Sequence, residues 1–249
     1  MKTFFLLVLI VVLGIFIYLK VQVLGDPNSN FNQTTRLSLA QYPFMRTILG
    51  LHSSGDEREE YLDGSGAITI VWLAPEDETI DTNVLQNFAA LVTKYTGRQT
   101  QLVSGGSLDD GTLQLSNLRA FSLKADNQDP AGSTGLNVFF TDDYSPRPDN
   151  EISETYQESG MVLSLNAHKA FLQNYPQDLD DYLLSSLLHE FGNQIGMQET
   201  ATGTPDCIMN LHAGINGEPV EAFGGTEPQD FCPAEQQEIN NIKLQLQNN

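Results

Sequence analysis

His189 and Glu190 are adjacent in a stretch, Leu179 to Gly196, whose apolar residues recur with helical spacing. A neutral imidazole is a strong ligand for a transition metal, and a neighbouring carboxylate on the same helix can act as base toward a metal-bound water. A helix presents its next residue on that side one turn later, at i+4, and here that residue is Asn193. An amide is a weak donor that zinc sites rarely employ. Gly196 stands near the end of the stretch, where a glycine permits a left-handed turn that folds the chain back and brings further ligands within reach.

The element that must hold these groups is a long helix. Leu183, Leu184, Leu187, Leu188, Phe191 and Ile195 make one broad apolar face, while Tyr182, Ser186, His189 and Asn193 share another. Pro176 and the acids Asp178, Asp180 and Asp181 mark its start, where negative charge suits the helix dipole. Upstream, Ala67–Leu73 reads as a buried strand, followed by an amphipathic helix through Val84, Leu85, Phe88, Leu91, Val92 and Tyr95. Further strands are predicted at Thr100–Val103, Leu113–Leu123, Leu136–Thr141 and Met161–Leu165, and Pro233 opens a last helix through Ile239, Ile242, Leu244 and Leu246. The predicted fold is therefore α/β (α+β), a mixed sheet of about five strands with three helices, spanning 67–249.

With these residues in view, the chain resembles the metzincin superfamily of zinc peptidases, whose helix motif is H-E-x-x-H-x-x-G-x-x-H/D with a downstream Met-turn. The stretch His189-Glu190-Phe191-Gly192-Asn193-Gln194-Ile195-Gly196-Met197-Gln198-Glu199 is followed by Cys207-Ile208-Met209-Asn210. The first His, the Glu, the Gly and the Met-turn at Met209 match; Asn193 replaces the second His, and Glu199 occupies the third-ligand position. The order of elements follows the family's plan, with the likeness nearest to matrixin-like or archaemetzincin-like proteins. The resemblance implies zinc held by His189, Asn193 and Glu199, with Glu190 as general base in peptide-bond hydrolysis. It also implies an extended peptide or protein substrate along an edge strand, for which Gly160, Met161, Val162 and Leu163 are the expected residues. The departures leave three outcomes: a working but altered zinc site, a site completed by another residue such as His212, or a peptidase fold that has lost metal and catalysis and binds peptides. His168 and His52 are expected outside the site. Cys207 and Cys232 flank the Met-turn and the last helix, and in an exported domain they are expected to pair as a disulfide.

Of 249 residues, 12 are Lys or Arg and 32 are Asp or Glu, a net charge of −20, and 67–249 carry −19 of it. Such a surface repels phosphate backbones, so no nucleic-acid partner is expected. Asp142-Asp143 and Asp109-Asp110 raise calcium as a possible ion, but no D-x-D-x-D-G loop is present. Thr3 to Leu19 is free of formal charge, and Val21, Val23 and Leu24 extend its apolar character past Lys20. At about 1.5 Å per residue this stretch reaches across a hydrocarbon core of roughly 30 Å. Residues 1–25 are thus expected to form a membrane anchor or a cleaved signal segment, and 26–66 a polar stalk with an apolar patch at Tyr42–Leu51. Either way the acidic domain lies outside the cytoplasm, as a single-pass membrane protein or a secreted one.

Overall fold

The computed structural model describes residues 2–23, 31, 35, 39, 42–49, 58–108, 112–114, 133–145, 152–156, 160–173, 178–197, 207–209 and 228–247. The chain divides into two compact units, Met1–Ser53 and Ser54–Asn249. The first contains helix α1 (Lys2–Val23) and the short helix α2 (Pro43–Leu49). Side chains of α1 are described from Val11 onward, and among the described residues no helix is long and apolar enough to cross a membrane.

The second unit begins before the expected boundary at residue 67. Helix α3 (Arg58–Leu62) buries Tyr61 and Leu62 in its core. Strand β1 (Ile68–Pro75) leads through helix α4 (Thr82–Thr96) to strand β2 (Thr100–Leu108), which lies parallel to β1. Strands β3 (Thr112–Gln114), β4 (Thr134–Thr141), β5 (Asp143–Ser145), β6 (Ser153–Tyr156) and β7 (Gly160–Ser164) follow. Then come helices α5 (Leu165–Leu172), α6 (Leu179–Gln194) and α7 (Pro233–Gln247). The main sheet has the order β2-β1-β4-β7-β6, with a separate β3-β5 pair. Its first four strands run parallel and β6 runs antiparallel to β7.

Alternation along the strands sorts the core into two layers. Ile68 and Ile70, Leu136, Val138 and Phe140, and Met161 and Leu163 face α4 and α6, meeting Phe88, Leu187 and Phe191. Val71, Leu73, Phe139 and Val162 face the other way, against Leu113 and Tyr144 of the small sheet. Of the strand predicted at Leu113–Leu123, Thr112–Gln114 is a strand and the remainder lies outside the described residues.

One buried cation ties the start of this unit together. Arg98, directly after α4, donates through Nε to the Gly66 carbonyl at 3.0 Å and through Nη2 to Ser65 and Ala67 carbonyls at 3.1 and 3.2 Å. It also reaches Thr134 Oγ1 at 2.8 Å and the Glu60 carbonyl. Partial burial lowers its pKa from the ordinary arginine value, although the guanidinium's donors are met by these oxygens.

Candidate functional site

Helix α6 is fixed at both ends by chemistry visible in its sequence. Asp178 caps the N-terminus, its carboxylate accepting the Asp180 N–H at 3.0 Å. At the other end Gly196 adopts φ 82°, the Gly196 N–H reaches the Asn193 carbonyl at 3.1 Å and the Met197 N–H reaches Gly192 at 2.9 Å. This is a Schellman closure, and it turns the chain back as Gly196 implied. The apolar face of α6 enters the core. Tyr182, Ser185, Ser186 and His189 line a small cleft with Ile152, Ser153 and Ile208.

His189 is buried, and its Nδ1 lies 2.9 Å from the Ile208 carbonyl. A carbonyl only accepts, so Nδ1 carries the proton and the lone pair sits on Nε2, the tautomer that a metal-ligating histidine adopts. Glu190 is 3 % exposed. One carboxylate oxygen accepts Ser153 Oγ–H at 2.6 Å, and the other accepts Thr155 Oγ1–H and, at 3.4 Å, the Asn193 amide. Asn193 thus turns toward Glu190, and the carboxylate bridges α6 to β6. Glu199 and His212 lie outside the described residues.

The topology corrects the expected substrate edge. Gly160, Met161, Val162 and Leu163 form β7, which is paired on both sides, with β4 and with β6. Ser153–Tyr156, a short polar strand, takes the outer position beyond it. Its four residues carry too weak an alternation to stand out beside the apolar run of β7.

Beneath the helix, Met209 is fully buried, and a Cβ at Gly192 would lie 2.3 Å from its Sδ. A side chain at residue 192 would have to displace the Met209 thioether from this position. Cys207 and Cys232 form a disulfide. Glu235, in the first turn of α7, accepts N–H bonds from Ile208 at 3.1 Å, from Met209, and from Cys232 at 2.9 Å. Its reach back to Cys232 is the glutamate half of a capping box, a pattern present in the sequence as Cys232-Pro-Ala-Glu235.

Among the described residues, the one group of three potential ligands is Cys207, Cys232 and Glu235. Its sulfurs are joined to each other and its carboxylate is taken by three amides, so it offers no thiolate and no open oxygen. At the motif itself, one imidazole has the ligand tautomer, while the second position is an amide, a weak metal donor, whose Nδ2 donates to Glu190 at 3.4 Å. The described residues do not fit a three-ligand zinc site. Asp143, the first residue of β5, accepts the Tyr144 N–H at 2.9 Å, and among the described residues Asp142 and Asp143 belong to no group of three potential ligands; Asp109 and Asp110 lie outside the described residues.

His168, expected outside the site, stands directly behind it. It is fully buried, with Nδ1 2.6 Å from the Ser164 carbonyl and Nε2 2.9 Å from Ser186 Oγ. Burial lowers its pKa to about 4. The sign follows: between about pH 6.5 and 4 the unfolded chain binds a proton that the folded chain refuses, so stability falls as pH falls through that window. The loss attributable to this group is on the order of 3 kcal/mol. Urea denaturation at pH 7 and pH 4.5 should show His168→Asn losing less stability across the interval than the parent; equal losses would remove this assignment.

No protein-family model matches the chain. No curated protein matches it in sequence. Among solved structures it is similar to an archaemetzincin from Methanopyrus kandleri, with TM-score 0.48 and 15 % identity over 71 % of this chain and 95 % of the other. It is also similar to an archaemetzincin from Archaeoglobus fulgidus complexed with malonate, with TM-score 0.41 and 13 % identity over 69 % and 99 %. A zinc-dependent peptidase from Methanocorpusculum labreanum matches with TM-score 0.50 and 14 % identity over 70 % of this chain and all of that one. The fold of this chain is similar to that of a zinc-dependent peptidase.

Proposed function

We propose that the chain is a membrane-tethered, exported protein of the metzincin-like metallopeptidase type whose cleft binds an extended peptide without cleaving it. The observation that carries this reading is the Glu190 carboxylate, bound by Ser153, Thr155 and the Asn193 amide. A general base must have a lone pair directed at the reacting proton; here the candidate base serves as a bridge between helix and strand. Strand β6 has an outer edge on which a peptide can pair through its backbone. The charge of −19 over 67–249 favours basic peptides over acidic ones. Tethering is supported by the uncharged stretch Thr3–Leu19 of the sequence.

The second reading is a zinc-dependent peptidase with Glu190 as general base. It is favoured by the ligand tautomer of His189 and by the fold it shares with a zinc-dependent peptidase. Purified full-length protein separates the two when zinc content and cleavage of a quenched-fluorescence peptide library are measured together. The expected result is substoichiometric zinc, no cleavage, and salt-sensitive binding of basic peptides. Stoichiometric zinc with cleavage abolished by Glu190→Gln would replace the binding reading with the enzymatic one.

A further inference from the structure

The first unit carries an apolar surface that the site does not use. On α1, Phe16, Leu19, Lys20 and Val23 fall at i, i+3, i+4 and i+7; Val23 and Leu49 are buried together there, with Phe16, Leu19 and Met45 packed against them. The Phe16 and Phe44 rings meet edge to face with centroids 5.8 Å apart. Lys20 Nζ donates to the Leu49 carbonyl at 2.5 Å, a cation on the negative end of α2. Around the rest of α1, Val11, Val12, Leu13, Ile15, Ile17, Tyr18 and Val21 are exposed, and Tyr42, Phe44 and Ile48 continue that apolar surface onto α2.

We infer that Tyr42–Leu49 is a second lipid-embedded element, lying beside α1 in the membrane interface with Lys20 as its C-terminal cap. This rests on the membrane reading of α1 and adds to it. A seven-residue helix does not persist in water by its own hydrogen bonds, and among its described side chains Phe44 and Ile48 are exposed. A protein partner would cover one face; exposure on the several sides of α1 and on α2 together matches a solvent that surrounds them, which is lipid. Tyr18 and Tyr42 suit the headgroup level, where an apolar ring and a polar tip are both satisfied. The Lys20 contact meets the C-terminal carbonyl of α2 and holds the ammonium close to the headgroup level that Tyr18 marks.

The test uses full-length protein in phosphatidylcholine vesicles containing a nitroxide-bearing lipid, with an environment-sensitive fluorophore on a single introduced cysteine. The native cysteines are in a disulfide and do not compete for label. Val12→Cys reports the anchor, Ile48→Cys reports α2, and Gln101→Cys on β2 is the water control. The expected result is an emission loss of about twofold for labels at positions 12 and 48, with none at 101. Quenching at 12 without quenching at 48 overturns the inference and leaves the anchor standing. Absence of quenching at 12 overturns both.

Discussion

Glu235→Ala is expected to lower the stability of the second unit by about 4 kcal/mol, the largest loss anticipated for any single side chain outside the apolar core. Three backbone N–H groups, of Ile208, Met209 and Cys232, end on this one buried carboxylate. A hydrogen bond to a charged group contributes about 1.5–3 kcal/mol, and a buried donor left without a partner costs about 1–3 kcal/mol. The three bonds share one acceptor and are not additive, so the loss falls below their sum. Against a total of roughly 5–15 kcal/mol for a typical domain, this separates a folded from a largely unfolded chain under mild stress. Glu235→Gln should rescue part of the loss, because its amide oxygen can take the Oε2 position and accept from Ile208 and Cys232, leaving its NH2 opposed only to the Met209 N–H. Urea unfolding with the disulfide intact measures both variants; a loss below about 1 kcal/mol for alanine would mean that solvent replaces the carboxylate and that the clasp does not hold the Met209 turn.

The second large effect is a gain. Asn193→His should raise zinc affinity at least 10–100-fold, the range seen when groups merely supporting a metal ligand are altered. The substitution places an imidazole one turn from His189, whose lone pair already resides on Nε2, and removes an amide that donates to Glu190. Zinc binding then stabilises the folded chain by linkage, about 2.7 kcal/mol when free zinc is 100 times its dissociation constant. Competition with a chromophoric chelator measures the affinity, and thermal unfolding with and without zinc provides a readout independent of activity. Parent and variant binding zinc equally would show that position 193 is not what limits the site. Cleavage activity appearing with the zinc would show further that the Ser153 and Thr155 hydroxyls release Glu190.

What could be read from the sequence is what local chemistry encodes. His189 and Glu190 stand on one helix and Gly196 at its closing turn, within eight consecutive residues, so their shared geometry follows from local spacing. Strands β1, β4 and β7 announce themselves as apolar runs because both of their faces are covered. Contacts made from far along the chain had no such signal. Ser153 and Thr155 reach Glu190 across more than thirty residues, and nothing in a Ser-Glu-Thr-Tyr tetrapeptide marks it as the sheet's edge. Leu165 was assigned to the strand before it, but Ser164 caps a new helix by accepting the Ala167 N–H at 3.2 Å. The Ser-x-x-Ala spacing lacks the Glu that would have made a full capping box recognisable. Arg98 follows a helix-ending glycine and, in sequence, resembles any exposed basic residue.

That arginine has a mechanical consequence. If α1 and α2 are held by lipid, any drag on the acidic unit enters it through the segment that precedes β1. The Glu60, Ser65, Gly66 and Ala67 carbonyls in that segment converge on one guanidinium, which is itself attached between α4 and β2. Force arriving along the tether is thereby shared among several bonds loaded side by side, and passes into the helix–strand junction before it can peel β1 from the sheet. Under the tethered reading, the clasp would act as strain relief at the point where a leash meets its load.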